Sequence, residues 1–113
     1  MKFRGDTKKL QRIVTNLLEN AIKYTPDKGT VTISLYEQDG TINIVVEDTG
    51  IGISQEDLPR IFERFYRGKK SRGEGGLGLG LSLAKAFVVS LGGVITAKST
   101  LGKGSVFAVS FPR

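Results

Sequence analysis

Asn16, Asn20 and Lys23 stand at i, i+4 and i+7, within about 60° of one another on a helix at about 100° per residue. Asn costs roughly half a kcal/mol relative to Ala inside a helix, so two on one face ask for a use. A solvated face is the competing explanation. An Asn side-chain oxygen is a neutral ligand for a hard cation such as Mg²⁺, and an ammonium such as that of Lys23 can meet a phosphate. A second candidate is Asp48, which shares the parity of Ile42, Ile44 and Val46 on an alternating run and so aims at the core side of a strand. A carboxylate placed there needs a donor. Thr49-Gly50-Ile51-Gly52 follows at once, and glycines there let other groups approach the backbone closely. An amino-bearing base such as adenine could supply the donor, while an Asx-type turn is the plainer alternative.

The third candidate is Gly73-Glu74-Gly75-Gly76-Leu77-Gly78-Leu79-Gly80, which runs straight into an amphipathic stretch. A helix N-terminus reached this way presents free amides and the positive end of the dipole to an anion. Gly73, Gly75 and Gly78 formally match G-x-G-x-x-G, but no strand precedes them and the dinucleotide context is missing. There is no G-x-x-x-x-G-K-[ST] string, and the protein-kinase motif set is absent.

Composition narrows the chemistry. The 113 residues include no cysteine and no histidine, which removes disulfides, thiolate metal sites and the commonest general base. The formal charge is +6. Much of it lies in Arg60, Arg64, Arg67, Lys69, Lys70 and Arg72, against the single acid Glu63. No aromatic-interleaved basic stripe accompanies this cluster, so nucleic acid is a poor partner. No apolar run is long enough to span a bilayer, and direct membrane contact is not expected.

These residues need elements to hold them. The pattern predicts a helix from Asp6 or Thr7 to about Tyr24, with Leu10, Ile13, Val14, Leu17, Leu18 and Ala21 as its apolar stripe. Strands at Val31–Tyr36 and Ile42–Asp48 join through Asp39-Gly40 as a hairpin. Ser54 and Asp57 offer a capping box for a short helix carrying Ile61, Phe62 and Phe65. Residues 66–80 read as a mobile loop. A third helix at Leu81–Leu91 ends on Gly92-Gly93, and strands at Val94–Ser99 and Ser105–Phe111 close the chain. A fifth strand is expected to begin before Phe3. Three helices and these strands in one domain predict a two-layer α/β (α+β) sandwich.

The order of these segments resembles the catalytic and ATP-binding domain of bacterial sensor histidine kinases. N-L-L-E-N-A-I-K-Y at 16–24 resembles the N box, D-T-G-I-G-I at 48–53 the first Gly box and I-F-E-R-F-Y-R at 61–67 the F box. G-L-G-L-G-L at 76–81 is similar to the second Gly box, and G-K-G-S at 102–105 to the third. The resemblance implies the Bergerat fold: a mixed sheet backed by three helices, with a flexible lid over ATP. It implies that Asn20 coordinates Mg²⁺, with Asn16 nearby, and that Lys23 and Tyr24 contact the nucleotide. Asp48 would accept from the adenine amino group, Gly50 and Gly52 would shape the base pocket, and Arg67 would reach the phosphates. Gly76, Leu77, Gly78, Leu79 and Gly80 would line or hinge the lid. Leu77 stands where the family usually has Thr or Ser, so one hydroxyl contact to phosphate is lost.

The resemblance further implies phosphoryl transfer, with Lys23 and Arg67 acting on the γ-phosphate and the acceptor histidine on a separate dimerisation domain that residues 1–113 lack. A response regulator would follow indirectly. The isolated domain would be a cytoplasmic monomer, its parent kinase anchored in the inner membrane. Related ATPases of the superfamily place a Glu four residues before the metal Asn. Here that position is Asn16, an amide that cannot serve as a base. The alternatives are a nucleotide-binding regulatory module without transfer activity and an ATP hydrolase.

Overall fold

The computed structural model describes residues 7–63 and 80–112. Helix α1 spans Thr7–Lys23. Of its predicted apolar stripe, Ile13, Leu17 and Ala21 are fully buried, and Leu10, Val14 and Leu18 pack against the same core. The helix ends where Pro26 forbids continuation, and the Thr25 hydroxyl donates to the Ala21 carbonyl at 2.6 Å, satisfying an otherwise orphaned acceptor.

Strands β1 (Val31–Gln38) and β2 (Thr41–Asp48) pair antiparallel. Asp39 and Gly40 both have positive φ, 53° and 79°. That is the type I′ geometry whose twist suits a two-residue hairpin. On β2 the residues Ile42, Ile44, Val46 and Asp48 are buried, as the alternation requires. β1 lies at the sheet edge. Its Ile33 and Leu35 pair with Val46 and Ile44 and so share the core-facing parity, yet both are exposed.

After β2, the Ser54 hydroxyl accepts from the Asp57 amide at 3.1 Å, one half of the expected capping box. The short helix that should follow is a single 3₁₀ turn, Leu58–Arg60. The bonds Arg60 N–H to Asp57 O and Glu63 N–H to Arg60 O both span three residues, and Pro59 has no amide to continue an α-helical ladder. The described residues therefore hold two α-helices, not three. Ile61 and Phe62 still pack on the core, with the Phe62 ring edge-on to Phe107 at 6.2 Å between centroids. Phe65 lies outside the described residues.

Helix α2 (Gly80–Ser90) stops in a Schellman motif. Gly92 has φ 78°, the Gly93 amide donates to Val88 O, and the Gly92 amide donates to Val89 O. Strands β3 (Val94–Thr100) and β4 (Gly104–Pro112) form a second hairpin, and β4 inserts between β3 and β2 in the order β1-β2-β4-β3. The helical connection leaves β3 parallel to β2 but separated from it by β4. Every adjacent pair among the described strands is thus antiparallel, and the mixed sheet expected from the resemblance is not seen there. The expected strand before Phe3 falls outside the described residues.

Both helices cover one face of the sheet. Lys9 Nζ near the start of α1 donates to Ser90 Oγ at the end of α2, and Asn16 Nδ2 donates to Gly80 O at its beginning. The helices therefore run antiparallel. Between the two layers Phe107, Val109 and Phe111 of β4 meet Ala84 and Val88 of α2 and the buried residues of α1 and β2. Each large apolar side chain buried there contributes roughly 1.5–3 kcal/mol.

Candidate functional site

The end of β2, the start of β4 and the end of β3 lie side by side. Val31, Asp48, Ser105 and Ser99 form one cross-strand row by register. Asp48 keeps only 7% of its surface exposed, and its Oδ1 accepts from the Gly50 amide at 2.8 Å. The Asx-type bond that competed with the ligand reading is therefore real, and it occupies one oxygen. It shapes the turn and leaves a second oxygen for a donor.

Loop 49–53 is held close to its neighbours by backbone contacts. The Ile51 amide donates to the Tyr24 carbonyl at the end of α1, and the Gly102 amide to the Ile51 carbonyl. A Cβ on Gly50 would collide with that Tyr24 carbonyl. At Gly52 the φ is 75° and a Cβ would strike the Thr100 carbonyl, so both space and conformation demand glycine. Thr49 is tied to Thr30 through both its backbone amide and its hydroxyl. The loop thus sits between the end of α1 and the β3–β4 turn.

On α1, Asn16 and Asn20 are half-buried and Lys23 is exposed. Lys23 Nζ stands 5.3 Å from the centroid of the Tyr24 ring, a cation–π contact worth about 0.5–1 kcal/mol at an exposed site. Asn16 turns its amide nitrogen to the Gly80 carbonyl at 3.2 Å. Its position is therefore a bridge from α1 to the first residue of α2, a role its residue type alone did not reveal. Among the described residues nothing lies within 4 Å of where a Cβ on Gly80 would be. Arg67, Gly76, Leu77, Gly78 and Leu79 lie outside the described residues. Of the basic cluster, Arg60 pairs with Glu63 at 3.2 Å with both side chains more than half exposed, a pair of small energetic value.

Among the described residues no group of three or more Asp, Glu, His or Cys is placed to hold a metal. A divalent cation here would need oxygens from its own ligand, which is how Mg²⁺ usually arrives with a phosphate chain. The half-buried amide of Asn20 suits one such coordination position. The site so built offers a buried carboxylate acceptor, an amide-bearing helix face and the start of α2.

Residues 5–113 match the family of histidine kinase-, DNA gyrase B- and HSP90-like ATPases. The chain belongs to this family. Among its relatives, the sensor histidine kinase RppB of Synechocystis sp. is 46% identical over 96% of the chain and 24% of its own length. WalK of Bacillus subtilis is 41% identical over 95% of the chain and 18% of its own. The chain thus spans about a quarter or less of these relatives. The mycobacterial sensor histidine kinase MprB superposes with a TM-score of 0.87 at 33% identity, over 96% of the chain and 75% of that structure. Full-length ShkA in complex with AMPPNP gives 0.79 at 31% identity, over 92% of the chain and 21% of that structure. The chain is a histidine-kinase-type ATPase domain, and its α+β architecture is that of these kinase catalytic domains.

Two polar residues in the row escaped the sequence reading: Ser99 and Ser105. The signal for Ser99 was its parity, since on β3 it points with Ile95 and Ala97 toward the helices. Ser105 was visible only as the last letter of G-K-G-S.

Proposed function

We propose that this domain binds Mg-ATP at the end of β2 and the start of β4 and donates the γ-phosphate to a histidine carried by a separate dimerisation domain. Asp48 carries the reading: a buried acceptor with one oxygen already engaged, at the mouth of a loop whose glycines permit close approach. The ATP analogue bound to ShkA, a relative of the same fold, supports an adenine nucleotide as the ligand. In this reading Asp48 accepts from the adenine amino group, while Gly50 and Gly52 let the base lie against backbone. Asn20 would offer its amide oxygen to the cation, which would supply charge neutralisation of the phosphate chain. Lys23 meets the phosphate chain, and Tyr24 packs beside it.

Arg67 and the segment Gly76-Leu77-Gly78-Leu79-Gly80 complete the phosphate end, with the N-terminal amides of α2 adding positive potential. In the transfer, the bond from Pγ to the β–γ bridging oxygen breaks as an imidazole nitrogen of the acceptor histidine bonds to phosphorus, and ADP leaves with the bridging oxygen. The domain contributes position and electrostatic stabilisation, not covalent chemistry. The chain contains no histidine, so the acceptor comes from another domain, in the cytoplasm, with a response regulator receiving the phosphoryl group afterwards. No helix among the described residues is long and apolar enough to cross a membrane.

Hydrolysis is the weaker reading because the position four residues before Asn20 is Asn16, whose amide is turned to Gly80 and cannot take a proton from water. Calorimetric titration tests the binding half. Mg-ATP is expected to bind with a clear preference over Mg-GTP, and the chain alone is expected to release no phosphate above background. Equal affinity for the two would remove the adenine pocket, and steady phosphate release would make the domain a hydrolase.

A further inference from the structure

The Ser99 hydroxyl makes more contacts than a strand serine needs. It accepts from the Ile53 amide at 2.7 Å, contacts the Gly104 carbonyl at 2.8 Å and lies 2.9 Å from the Ser105 hydroxyl. A hydroxyl has one hydrogen and two acceptor sites. The Gly104 carbonyl can only accept, so it takes the Ser99 hydrogen. Ser105 must then donate to Ser99. All three capacities of Ser99 are filled, and the single hydrogen of Ser105 is committed away from Asp48, its neighbour in register on β2.

We propose that Ser99 is a positioning residue that sets the base preference of the pocket. It acts in two ways. It pins Ile53, the last residue of loop 49–53, to the end of β3, where the Gln55 side chain adds a bond to the Ser99 carbonyl. It also fixes the polarity of Ser105, so that this buried hydroxyl offers the recess only lone pairs. Asp48 and Ser105 then present acceptors side by side, and the ligand edge they favour is one that donates. Close packing supports this geometry, since a Cβ on Gly104 would collide with the Asp48 carbonyl. Without the Ser99 hydroxyl the Ser105 hydrogen is released. It can then turn to meet a carbonyl-bearing base, and the discrimination narrows.

This inference rests on the adenine-pocket reading, and calorimetry with Mg-ADP and Mg-IDP separates the two. Hypoxanthine presents a carbonyl where adenine presents its amino group. Ser99→Ala is expected to reduce the ADP-to-IDP affinity ratio about tenfold, the effect of losing roughly one net hydrogen bond. Ser99→Thr, which keeps the hydroxyl, is expected to restore the ratio. An unchanged ratio in Ser99→Ala, while Asp48→Asn weakens ADP, overturns the role of Ser99 alone. If Asp48→Asn leaves ADP binding intact, the pocket reading itself fails. Should Ser99→Ala melt too low to titrate, Ser105→Ala carries the test: removing the lone pairs that Ser105 offers the ligand is expected to narrow the ratio too, and an unchanged ratio overturns the proposal.

Discussion

At the scale of the residue, the buried carboxylate of Asp48 is the group whose loss should matter most to the ligand. Asp48→Asn keeps the volume and one oxygen but removes the charge and offers an NH₂ where an acceptor stood. The amide can still serve the Gly50 N–H, so the fold should survive. Adenine-nucleotide affinity should fall by roughly 10- to 100-fold, as for a hydrogen bond to a charged group worth about 1.5–3 kcal/mol, and titration of Mg-ADP measures it. Unaltered affinity would remove Asp48 from the site. Asn20→Ala should separate metal from nucleotide: the gain in affinity that Mg²⁺ gives wild-type protein should shrink, read by titrating ADP with and without the cation. An equal gain in the variant would place the metal ligand elsewhere.

Residue types and parity revealed Asp48 and the Asn16–Asn20–Lys23 face in the sequence because strand and helix periods are strict. The partner of Asn16 was not legible. Its bond to Gly80 O joins residues far apart in the chain, and such a contact depends on how two helices cross. The same holds for the Ser99–Ser105 pair, which exists only through the register of β3 on β4.

At the scale of the element, the turns fix the backbone around the site through glycines that no other residue can replace without strain. Gly92 sits at φ 78° with open space where a Cβ would be, apart from Pro112 at 4.0 Å. Gly92→Ala should therefore cost about 1 kcal/mol through backbone strain alone, seen as a lower denaturant midpoint with an unchanged slope. An unchanged midpoint would mean that α2 has another way to end. Gly50→Ala is different in kind, because its Cβ would meet both the Tyr24 carbonyl and the Asp48 carboxylate. Nucleotide binding should suffer even where the protein still folds.

The hairpins and helix ends were readable because Asp-Gly and Gly-Gly dictate backbone conformation locally. The expected short helix carrying Ile61, Phe62 and Phe65 is, among the described residues, only the 3₁₀ turn Leu58–Arg60, because a capping signal and a proline near a helix start suit a 3₁₀ turn as well as an α-helix. In the fold, the i to i+3 bonds win there. Sheet order was likewise beyond local signals, since inserting β4 between β2 and β3 is a choice of the whole core.

At the scale of the whole molecule, one apolar layer between helices and sheet holds every element that frames the site. Leu17→Ala, in the centre of that layer with 1% exposure, should cost about 2–5 kcal/mol, much of the stability of a domain this small. Its effect on nucleotide affinity should be modest wherever the variant remains folded.

In the proposed function the domain loads ATP, and the 113 residues include no histidine to receive the phosphoryl group. The most direct test of the proposed transfer mixes the chain with the separately prepared, histidine-bearing dimerisation domain proposed as its partner, Mg²⁺ and ATP labelled on the γ-phosphate. Label should appear on that domain's histidine as an acid-labile, base-stable adduct, with none on the chain itself and none when Asn20→Ala replaces the wild type. ATP bound tightly, with no label transferred to the partner histidine, would contradict the account and leave a nucleotide-binding regulatory module in its place.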